Sequence, residues 1–368
     1  MKKVAILYNT APHYRTAIFK KIDEVFNPDW YFSLSSSDIK DMDYTVLRNV
    51  RLLSEKKIGT SNWYWQKDAL SLGFGEKYDI ILALGDPYCI STWLLALKCN
   101  FFSKKKIYFW THGWYGKEGK LNGLIKKIFF KLADRLFLYG NRAKKLMIQE
   151  GFNENRLHVI HNSLDYKIQK DIITKIKKSD IYINHFGNHY PTLIFIGRLT
   201  KVKRLDILLE AVYLLHKGHK PVNVIFVGDG SEKEELIQLS KKYNIDKFCW
   251  FYGASYSEGV NAELIYNADI CVAPGNVGLT AIHSMAYGTP VISHCKFEWQ
   301  MPEFEAIVPD VTGCFFEKDN VRDLKRSISN WIDKHPDREA VRKACICEIE
   351  LNWTPEFQIK VLKENFDL

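Results

Sequence analysis

The sequence predicts an α/β protein with two successive doubly wound domains, each built on a parallel β-sheet. Apolar runs of strand length alternate with segments of helix length, and the apolar runs are continuous, which is typical of parallel strands covered on both faces. This series of runs stops at a polar segment and then starts again. The length of 368 residues also exceeds the usual size of one hydrophobic core.

The first domain is predicted over residues 1–165 and the second over residues 191–354. The predicted strands of the first domain are 4–9, 78–85, 106–113, 135–140 and 157–162. Those of the second domain are 192–198, 222–230, 248–253, 269–275 and 289–294. Residues 166–190 are polar and lysine-rich and are interpreted as a linker, and a helix at about 355–368 is expected to pack back on the first domain. Ligands of open α/β sheets bind beyond the carboxyl ends of the strands, so the residues after each run are the candidates for function.

The composition excludes several classes of protein. Apolar residues make up 46% of the chain, which argues against disorder. No apolar run approaches about 18 residues, and the N-terminal apolar stretch is too short for a signal peptide, so a cytoplasmic protein is expected. The eight cysteines show neither C-x-x-C nor zinc-type spacing and are interpreted as reduced thiols. The D-x-D sequence at Asp41 to Asp43 does not follow a clear buried strand, so no metal site is predicted.

Two cations follow the first strand of the second domain. Arg198 and Lys203 lie in GRLTKVKRLDILLEAV, between the strand and a predicted helix. A guanidinium binds phosphate oxygens in a bidentate manner and an ammonium adds a point charge, so the pair could neutralise a diphosphate without a metal. Ordinary solvated loop cations are the alternative.

Two glycine-bearing turns follow later strands of this domain. Gly228 and Gly230 stand in VGDG, a pattern that more often serves turn geometry than nucleotide binding. No complete G-x-G-x-x-G and no Walker A sequence occurs. The loop that runs from Gly275 to Gly278 precedes a short helix, and its backbone N–H groups could hold phosphate or sugar hydroxyls.

The order GRLTKVK, VGDG, FYG, NADICVAPGNVGL, SMAYGTPVI and VTGCFFE strongly resembles the donor domain of the family-4 retaining glycosyltransferases over roughly residues 190 to 330. The N-terminal half matches more loosely, through THGWYG and VIHNSLD. The resemblance implies the GT-B fold, in which two Rossmann-like domains face each other across a cleft. It also implies metal-independent and cofactor-free transfer of a sugar, of the hexosyltransferase type, from a nucleotide diphosphate sugar to a saccharide acceptor with retention of configuration.

The same resemblance implies roles for individual residues. Arg198 and Lys203 stand at the diphosphate pair and His112 at a histidine near the donor sugar, and these three form the predicted catalytic set. The predicted donor-binding residues are Gly197, Gly228, Gly230, Gly253, Gly275, Asn276, Val277, Gly278, Leu279, Thr280, His283 and Glu305.

The sequence departs from the family at two glutamates that stand eight residues apart. Gly275 and His283 occupy these positions. A neutral imidazole can still accept a hydrogen bond from a ribose hydroxyl, whereas glycine offers only its backbone. Glu303 and Glu305 are candidates to replace the missing carboxylate, and Glu305 lies near the family's acidic residue before V-T-G.

The turn NTAPHYR after the first strand resembles a subset of the family with a P-x-Y-R turn. The predicted acceptor-binding residues are therefore His13, Tyr14 and Arg15, and Arg15 could meet an anionic acceptor such as a lipid diphosphate. Purely structural roles for Arg15 and His112 are the alternatives.

The net charge of +9 is concentrated in FFSKKKIYF and KLNGLIKKIFFKLADRLF. In a helix, Leu121, Leu124, Ile125, Ile128 and Leu132 share a face, with lysines beside them. This pattern favours peripheral docking on the inner face of an anionic membrane, with a lipid-linked acceptor and a role in bacterial surface polysaccharide assembly such as capsule synthesis. A helix packed on its own sheet is the alternative.

Two other functions fit the same architecture, a GT-B nucleotide-sugar epimerase and a non-catalytic nucleotide-sugar or glycan-binding relative. Nucleic-acid binding is disfavoured, because the basic residues lie beside apolar helices and not on a recognition module.

Overall fold

A computed structural model describes residues 2–34 and 40–367 of the chain. These residues form two compact units. The first unit comprises Met1–Asp165 and Pro355–Leu368, and the second comprises Tyr166–Thr354.

Within the described part of the first unit, eight strands form one sheet. The strands are β1 (Val4–Tyr8), β2 (Asp29–Leu34), β3 (Asn49–Lys57), β4 (Tyr64–Gln66), β5 (Ile80–Leu84), β6 (Lys106–Thr111), β7 (Arg135–Leu138) and β8 (Leu157–Val159). Their order across the sheet is β4-β3-β2-β1-β5-β6-β7-β8. Neighbouring strands are parallel except β3 and β4, which are antiparallel.

Helices cover both faces of this sheet. They are α1 (Thr16–Phe26), α2 (Ile90–Phe102), α3 (Lys120–Lys131) and α4 (Asn141–Gln149), together with a C-terminal helix at Pro355–Asn365. Alternate residues of one strand point to opposite faces, so Ile6 packs with the side of α1 and the C-terminal helix, while Leu7 packs with the side of α2, α3 and α4. Burial on both faces explains why the central strands are continuously apolar.

The second unit repeats this architecture. In residues 166–354, all of which the structure describes, six parallel strands have the order β11-β10-β9-β12-β13-β14. The strands are β9 (Thr192–Ile196), β10 (Asn223–Val227), β11 (Cys249–Gly253), β12 (Ile270–Ala273), β13 (Val291–His294) and β14 (Gly313–Phe316). The helices are α5 (Tyr166–Ile173), α6 (Ile181–Phe186), α7 (Leu205–Lys217), α8 (Lys233–Lys242), α9 (Glu258–Asn267), α10 (Thr280–Ala286), α11 (Val321–Lys334) and α12 (Arg338–Asn352), and the C-terminal helix of the first unit is therefore α13.

The predicted fold class of two Rossmann-like α/β domains is confirmed. Residues 166–190, which were interpreted as a linker, contain α5 and α6. In each sheet the strand order reverses beside the first strand of the unit, between β1 and β5 and between β9 and β12. Such a switch point is where open α/β sheets bind ligands.

Across the described residues, we find no helix that combines the length and the apolar character needed to cross a bilayer.

Gly228 is the first residue after β10, and the structure predicts that it tolerates no side chain. Its φ is +152°, and a Cβ atom there would lie 1.9 Å from the carbonyl oxygen of Gly197. Because the obstacle is backbone, we expect Gly228→Ala to destabilise the protein by about 1–3 kcal/mol, the usual range for overpacking. Urea unfolding measures this effect.

The matched control is Gly259→Ala on α9, where a Cβ atom would meet nothing within 4 Å. This change should leave stability unchanged or raise it by up to about 1 kcal/mol, since alanine favours helix. Equal stability of the two variants would contradict the packing interpretation of Gly228.

Candidate functional site

The loop after β9 runs along the carboxyl end of the neighbouring strand β10. The N–H of Gly197 donates to the Val227 carbonyl over 2.9 Å, and the N–H of Leu199 donates to the Asp229 carbonyl over 2.9 Å. A 3-10 turn at Lys201–Lys203 then leads into α7. The loop is therefore fixed by backbone hydrogen bonds at the switch point.

Lys203 joins this loop to the loop after β12. Its Nζ atom donates to the carbonyl oxygen of Asn276 over 2.7 Å and to Oδ1 of the same residue over 2.8 Å. Burial lowers the pKa of Lys203 to about 8, Glu303 opposes this shift, and the nearby charge of Arg198 adds to it. Arg198 itself is exposed. A bound anion would offset the repulsion between Arg198 and Lys203.

Two glycines of the predicted donor site lie in the neighbouring strand ends. The N–H of Gly230 donates to the carboxylate of Asp229 over 2.8 Å in the turn after β10. Gly253 ends β11, and its carbonyl accepts from the N–H of Gly228 over 2.8 Å. These contacts join the ends of β10 and β11 on one side of the switch point.

The loop after β12 is held by a side chain that the sequence did not indicate. Gln300 is buried, its Oε1 atom accepts from the N–H of Val277 over 2.8 Å, and its Nε2 atom donates to Ser293 Oγ over 2.8 Å and to the His294 carbonyl over 2.9 Å. Gln300 thereby connects the loop to β13. Nothing in the sequence marks a glutamine in a polar segment as such a connector.

Some backbone N–H groups of the predicted phosphate loop already donate hydrogen bonds to other groups of the protein. The N–H of Gly275 donates to the Lys203 carbonyl over 2.9 Å, and the N–H of Val277 donates to Gln300. At the start of α10, the hydroxyl of Thr280 donates to the Ile196 carbonyl over 2.8 Å. The predicted loop is therefore braced against β9 and β13, with Gly278 and Leu279 half-buried between these anchors.

His283 contacts a carboxylate that the sequence analysis missed. Its Nε2 atom lies 3.0 Å from Oε1 of Glu258, which also accepts from the Tyr287 hydroxyl over 2.6 Å and from Gln169 Nε2 over 3.2 Å. Burial alone would raise the pKa of Glu258, but the bonds from His283, Tyr287 and Gln169 outweigh it and lower the pKa to about 2. An ionised carboxylate only accepts, so Nε2 of His283 carries a proton and donates it to Glu258, and Nδ1 is the other ring nitrogen. A ribose contact through His283 stays a prediction, now confined to Nδ1.

Glu258 escaped the sequence analysis for a physical reason. It is the first residue of α9, directly after Ser257. An acidic residue in a first helical turn is typical of ordinary helix-dipole stabilisation, so its sequence position carries no sign of a network.

The two candidate replacement carboxylates lie in one 3-10 turn, Pro302–Ala306. Glu303 is buried, with 2% of its surface exposed, whereas Glu305 is half-buried. The charge of Glu303 acts on Lys203. The predicted donor contact of Glu305 stays a prediction.

Arg15 of the first unit lies inside a cluster of aromatic rings. Its guanidinium carbon is 5.2 Å from the ring centre of Tyr8, 5.6 Å from Phe19, 5.0 Å from Trp110 and 5.3 Å from Tyr139. Its Nη2 atom donates to the Tyr139 hydroxyl. Only 6% of Arg15 is exposed, so in this conformation its charge acts mainly through these neighbours.

His112 follows β6 and lies beside the same cluster. Its ring centre is 4.6 Å from that of Tyr139. Burial, together with the charges of Arg15 and Lys126, lowers the pKa of His112 to about 4. His112 is therefore a neutral imidazole at physiological pH, suited to hydrogen bonding and not to charge pairing.

The other two predicted acceptor residues are more accessible than Arg15. His13 is exposed, and its Nδ1 atom lies 3.2 Å from the Lys40 carbonyl. Tyr14 is half-buried, with its ring 5.8 Å from that of His13. The acceptor assignment of His13, Tyr14 and Arg15 stays a prediction.

Parts of this sequence are similar to known glycosyltransferases. Residues 176–345 match the family described as glycosyl transferases group 1. Glycogen synthase of Edwardsiella ictaluri is 23% identical over 233 residues, a match that covers 58% of this chain and 42% of that protein. The chain thus spans less than half the length of this curated relative.

Solved structures resemble the whole chain. HepE of Anabaena in complex with UDP has a TM-score of 0.73 at 15% identity, and the match covers 100% of both chains. The lipopolysaccharide outer core galactosyltransferase WaaB, in its apo form, has a TM-score of 0.73 at 14% identity, with 99% of this chain and 100% of that chain covered. At such identities the likeness shows the fold, which is GT-B.

His283→Ala removes one of three donors from the Glu258 carboxylate. We expect this change to destabilise the protein by about 0.5–1.5 kcal/mol near neutral pH, because the half-buried Glu258 carboxylate loses one hydrogen-bond donor. The pKa of Glu258 is depressed in the folded state, so its contribution is complete above its unfolded value of about 4.3 and is lost as the pH falls towards about 2. The stability difference between wild type and variant should therefore shrink between these pH values.

The control is His189→Ala, which removes an exposed histidine of the same unit. Urea unfolding at several pH values measures both variants. A stability loss in His283→Ala that is no larger than in His189→Ala would show that the Glu258 contact contributes nothing.

Proposed function

We propose that this chain is a glycosyltransferase that moves a hexose from a nucleotide diphosphate sugar to a saccharide acceptor. The observation that carries the proposal is the position of the Lys203 ammonium, which is hydrogen-bonded to Asn276 and is affected by the charge of Arg198. Both cations lie at the switch point of the second sheet, within the residues that match the glycosyl transferases group 1 family. UDP-glucose is the first donor to test, since UDP is bound in the similar HepE structure.

The diphosphate is assigned to the Arg198 and Lys203 pair. Lys203 directs two of its three N–H bonds to Asn276, which orients the ammonium and leaves one N–H for a phosphate oxygen. Arg198 is exposed and can bind phosphate in a bidentate manner. Fixed positive charge stabilises the diphosphate as it leaves, and in this proposal it takes the place of a metal ion.

The donor sugar is assigned to a residue of the first unit, and the stereochemistry is assigned from the family resemblance. Because His112 is neutral, it can form a hydrogen bond with a hydroxyl of the donor sugar and is not repelled by the charges of Arg15 and Lys126. Retention of configuration follows from the family-4 resemblance. The acceptor is proposed to be a lipid-linked saccharide of bacterial surface polysaccharide assembly, in keeping with the outer core transferase WaaB among the similar structures.

Chromatographic separation of the products, followed by mass spectrometry, tests the function directly, because epimers have equal masses and must first be separated. The protein is incubated with a panel of nucleotide sugars and saccharide acceptors, and a new glycosidic bond supports the proposal. An epimerised nucleotide sugar without transfer would indicate an epimerase. Donor binding without either product would indicate a non-catalytic relative.

Arg198→Ala and Lys203→Ala should each lower turnover by about 30-fold to 1,000-fold. The estimate takes about 2–4 kcal/mol as the cost of losing one partner of the charge that develops in the transition state. Lys201→Ala is the matched control, because Lys201 is an exposed cation of the same loop. Steady-state kinetics with the identified donor measures all three variants, and wild-type turnover in the Arg198→Ala, Lys203→Ala double variant would remove both residues from the site.

A second part of the proposal concerns the outer surface of α3. Leu121, Leu124 and Ile128 are 71%, 54% and 49% exposed, whereas Phe129 and Phe130 on the opposite side are buried against the sheet. The helix is thus anchored by its phenylalanines and leaves an apolar stripe uncovered within the first unit. We call Leu121, Leu124 and Ile128 the α3 stripe.

The charges around the α3 stripe differ from the sequence expectation in one respect. Lys126 is half-buried and lies 2.8 Å from the Glu118 carboxylate, so its charge is paired within the protein. Lys120 and Lys131 are exposed, as is Lys104 before β6. A stripe of exposed apolar residues with cations nearby suits an anionic lipid surface.

Replacing the three residues of the α3 stripe with serine should weaken binding to anionic vesicles. Binding of the wild type to vesicles of phosphatidylglycerol and phosphatidylcholine should also fall with added salt, because the lysine contribution is screened. Leu351→Ser is the control, since Leu351 is an exposed apolar residue of α12 in the second unit. Co-sedimentation measures binding, and an unchanged vesicle-bound fraction in the triple variant would mean that the stripe has no role in docking.

A further inference from the structure

The two carboxylate oxygens of Glu258 differ in their surroundings. Oε1 accepts three hydrogen bonds, from Nε2 of His283 over 3.0 Å, from the Tyr287 hydroxyl over 2.6 Å and from Nε2 of Gln169 over 3.2 Å. Within residues 2–34 and 40–367, no group of the protein donates a hydrogen bond to Oε2. Oε1 is therefore occupied by the protein itself, and Oε2 is left to accept a hydrogen bond from another molecule.

Three helices hold this carboxylate in place. Glu258 begins α9, His283 lies on α10 with Tyr287 directly after that helix, and Gln169 lies on α5. Gln169 and Tyr287 are both buried. Rotation of the carboxylate would break the bonds to these buried donors. The direction of Oε2 is thus fixed before any ligand binds, which lowers the cost of binding.

Oε2 belongs to a charged group that is partly open to solvent. The Glu258 side chain is 33% exposed, and its pKa of about 2 leaves it ionised at physiological pH. An ionised carboxylate only accepts hydrogen bonds, and its charge repels phosphate. Its partner must therefore be a neutral donor, and hydroxyl groups are the most numerous neutral donors of a nucleotide sugar.

Glu258 stands at the same edge of the second sheet as Lys203. The helices α9 and α10 follow the strands β11 and β12, so their first turns lie beyond the carboxyl ends of parallel strands. Asn276, which accepts from Lys203, lies in the loop that leads into α10, and His283 lies in the first turn of that helix. The carboxylate is thus bonded to the helix that follows the Lys203-bound loop.

We propose that Glu258 is a donor-binding residue, and that its Oε2 atom accepts a hydrogen bond from a hydroxyl group of the nucleotide sugar. The bonds from His283, Tyr287 and Gln169 keep Oε2 directed at that hydroxyl. This inference rests on the proposed function, in which the second unit binds a nucleotide diphosphate sugar.

Glu258→Gln tests the assignment, because the amide oxygen can still accept the three internal bonds while an NH₂ group, which donates, replaces Oε2. We expect the dissociation constant for UDP-glucose to rise by about 10-fold to 100-fold, the usual effect of losing a hydrogen bond to a charged group. Glu263→Gln is the matched control, since Glu263 is another half-buried glutamate of α9, and it should bind like the wild type. Isothermal titration calorimetry measures all three proteins.

Deoxy analogues separate a direct contact from a purely structural role. If Oε2 binds a ribose hydroxyl, the 2′-deoxy or the 3′-deoxy analogue of UDP should bind the wild type more weakly than UDP, and Glu258→Gln should not distinguish that analogue from UDP. If Oε2 binds the transferred sugar, the wild type should prefer UDP-glucose to UDP, and the variant should lose this preference. An equal loss of affinity for every probe would show that Glu258 only supports the structure, and it would overturn the proposal, as would unchanged affinity for UDP-glucose.

Urea unfolding first checks that each variant folds. If Glu258→Gln does not fold, Glu258→Asp replaces it. This change keeps the charge but withdraws it by one methylene, so weaker binding with the same dependence on the missing hydroxyl is expected. Wild-type affinity in Glu258→Asp would then overturn the proposal.

The proposed function can fail separately. Binding of UDP-glucose that depends on Glu258, without any new glycosidic bond in the product assay, would keep this inference and reject sugar transfer. A new glycosidic bond together with wild-type donor affinity in Glu258→Gln would keep the function and reject the inference. If the wild type bound no nucleotide sugar of the product assay, both would be rejected.

Discussion

The close backbone packing of the loop after β9 is the constraint on which the candidate site depends. Gly228 and Gly275 accept the loop at Gly197 and at Val202 to Lys203 because neither glycine has a Cβ atom. This approach brings the Lys203 ammonium within hydrogen-bonding distance of Asn276. The position of the cation is thus set by main-chain geometry, which is stiffer than side-chain contacts alone.

In each unit, the charge of an arginine acts on a titratable residue of the candidate site. In the first unit, Arg15 lies among aromatic rings and its charge disfavours protonation of His112. In the second unit, the charges of Arg198 and Glu303 act on Lys203 in opposite senses. Charges act more strongly in the poorly solvated interior than at the surface, so a few buried groups suffice to set the chemistry of each site.

The sequence predicted most of the central strands, whereas β2, β3, β4 and β14 were not predicted. β1, β5, β6 and β9 were recognisable because strands buried on both faces are continuously apolar. β3 was missed, because most of its nine residues are exposed and its sequence reads as a polar loop.

Some residues of the candidate site could likewise be predicted from the sequence, and others could not. Arg198 and Lys203 were chosen as candidates because they lie in the loop that follows a strand, and their role in binding stays a prediction. Glu258 and Gln300 were not, because their partners, His283 and Val277, are 25 and 23 residues distant in sequence, and only the folded chain brings them together.

The C-terminal helix α13 has a consequence for protein synthesis. Ile359 and Leu362 of this helix pack in the core with Val4 and Phe26. The ribosome must therefore synthesise the entire second unit before that core can form. The amino-terminal half of the chain therefore waits longest to complete its folding, and during translation its exposed β1 face is the surface that chaperones would need to protect.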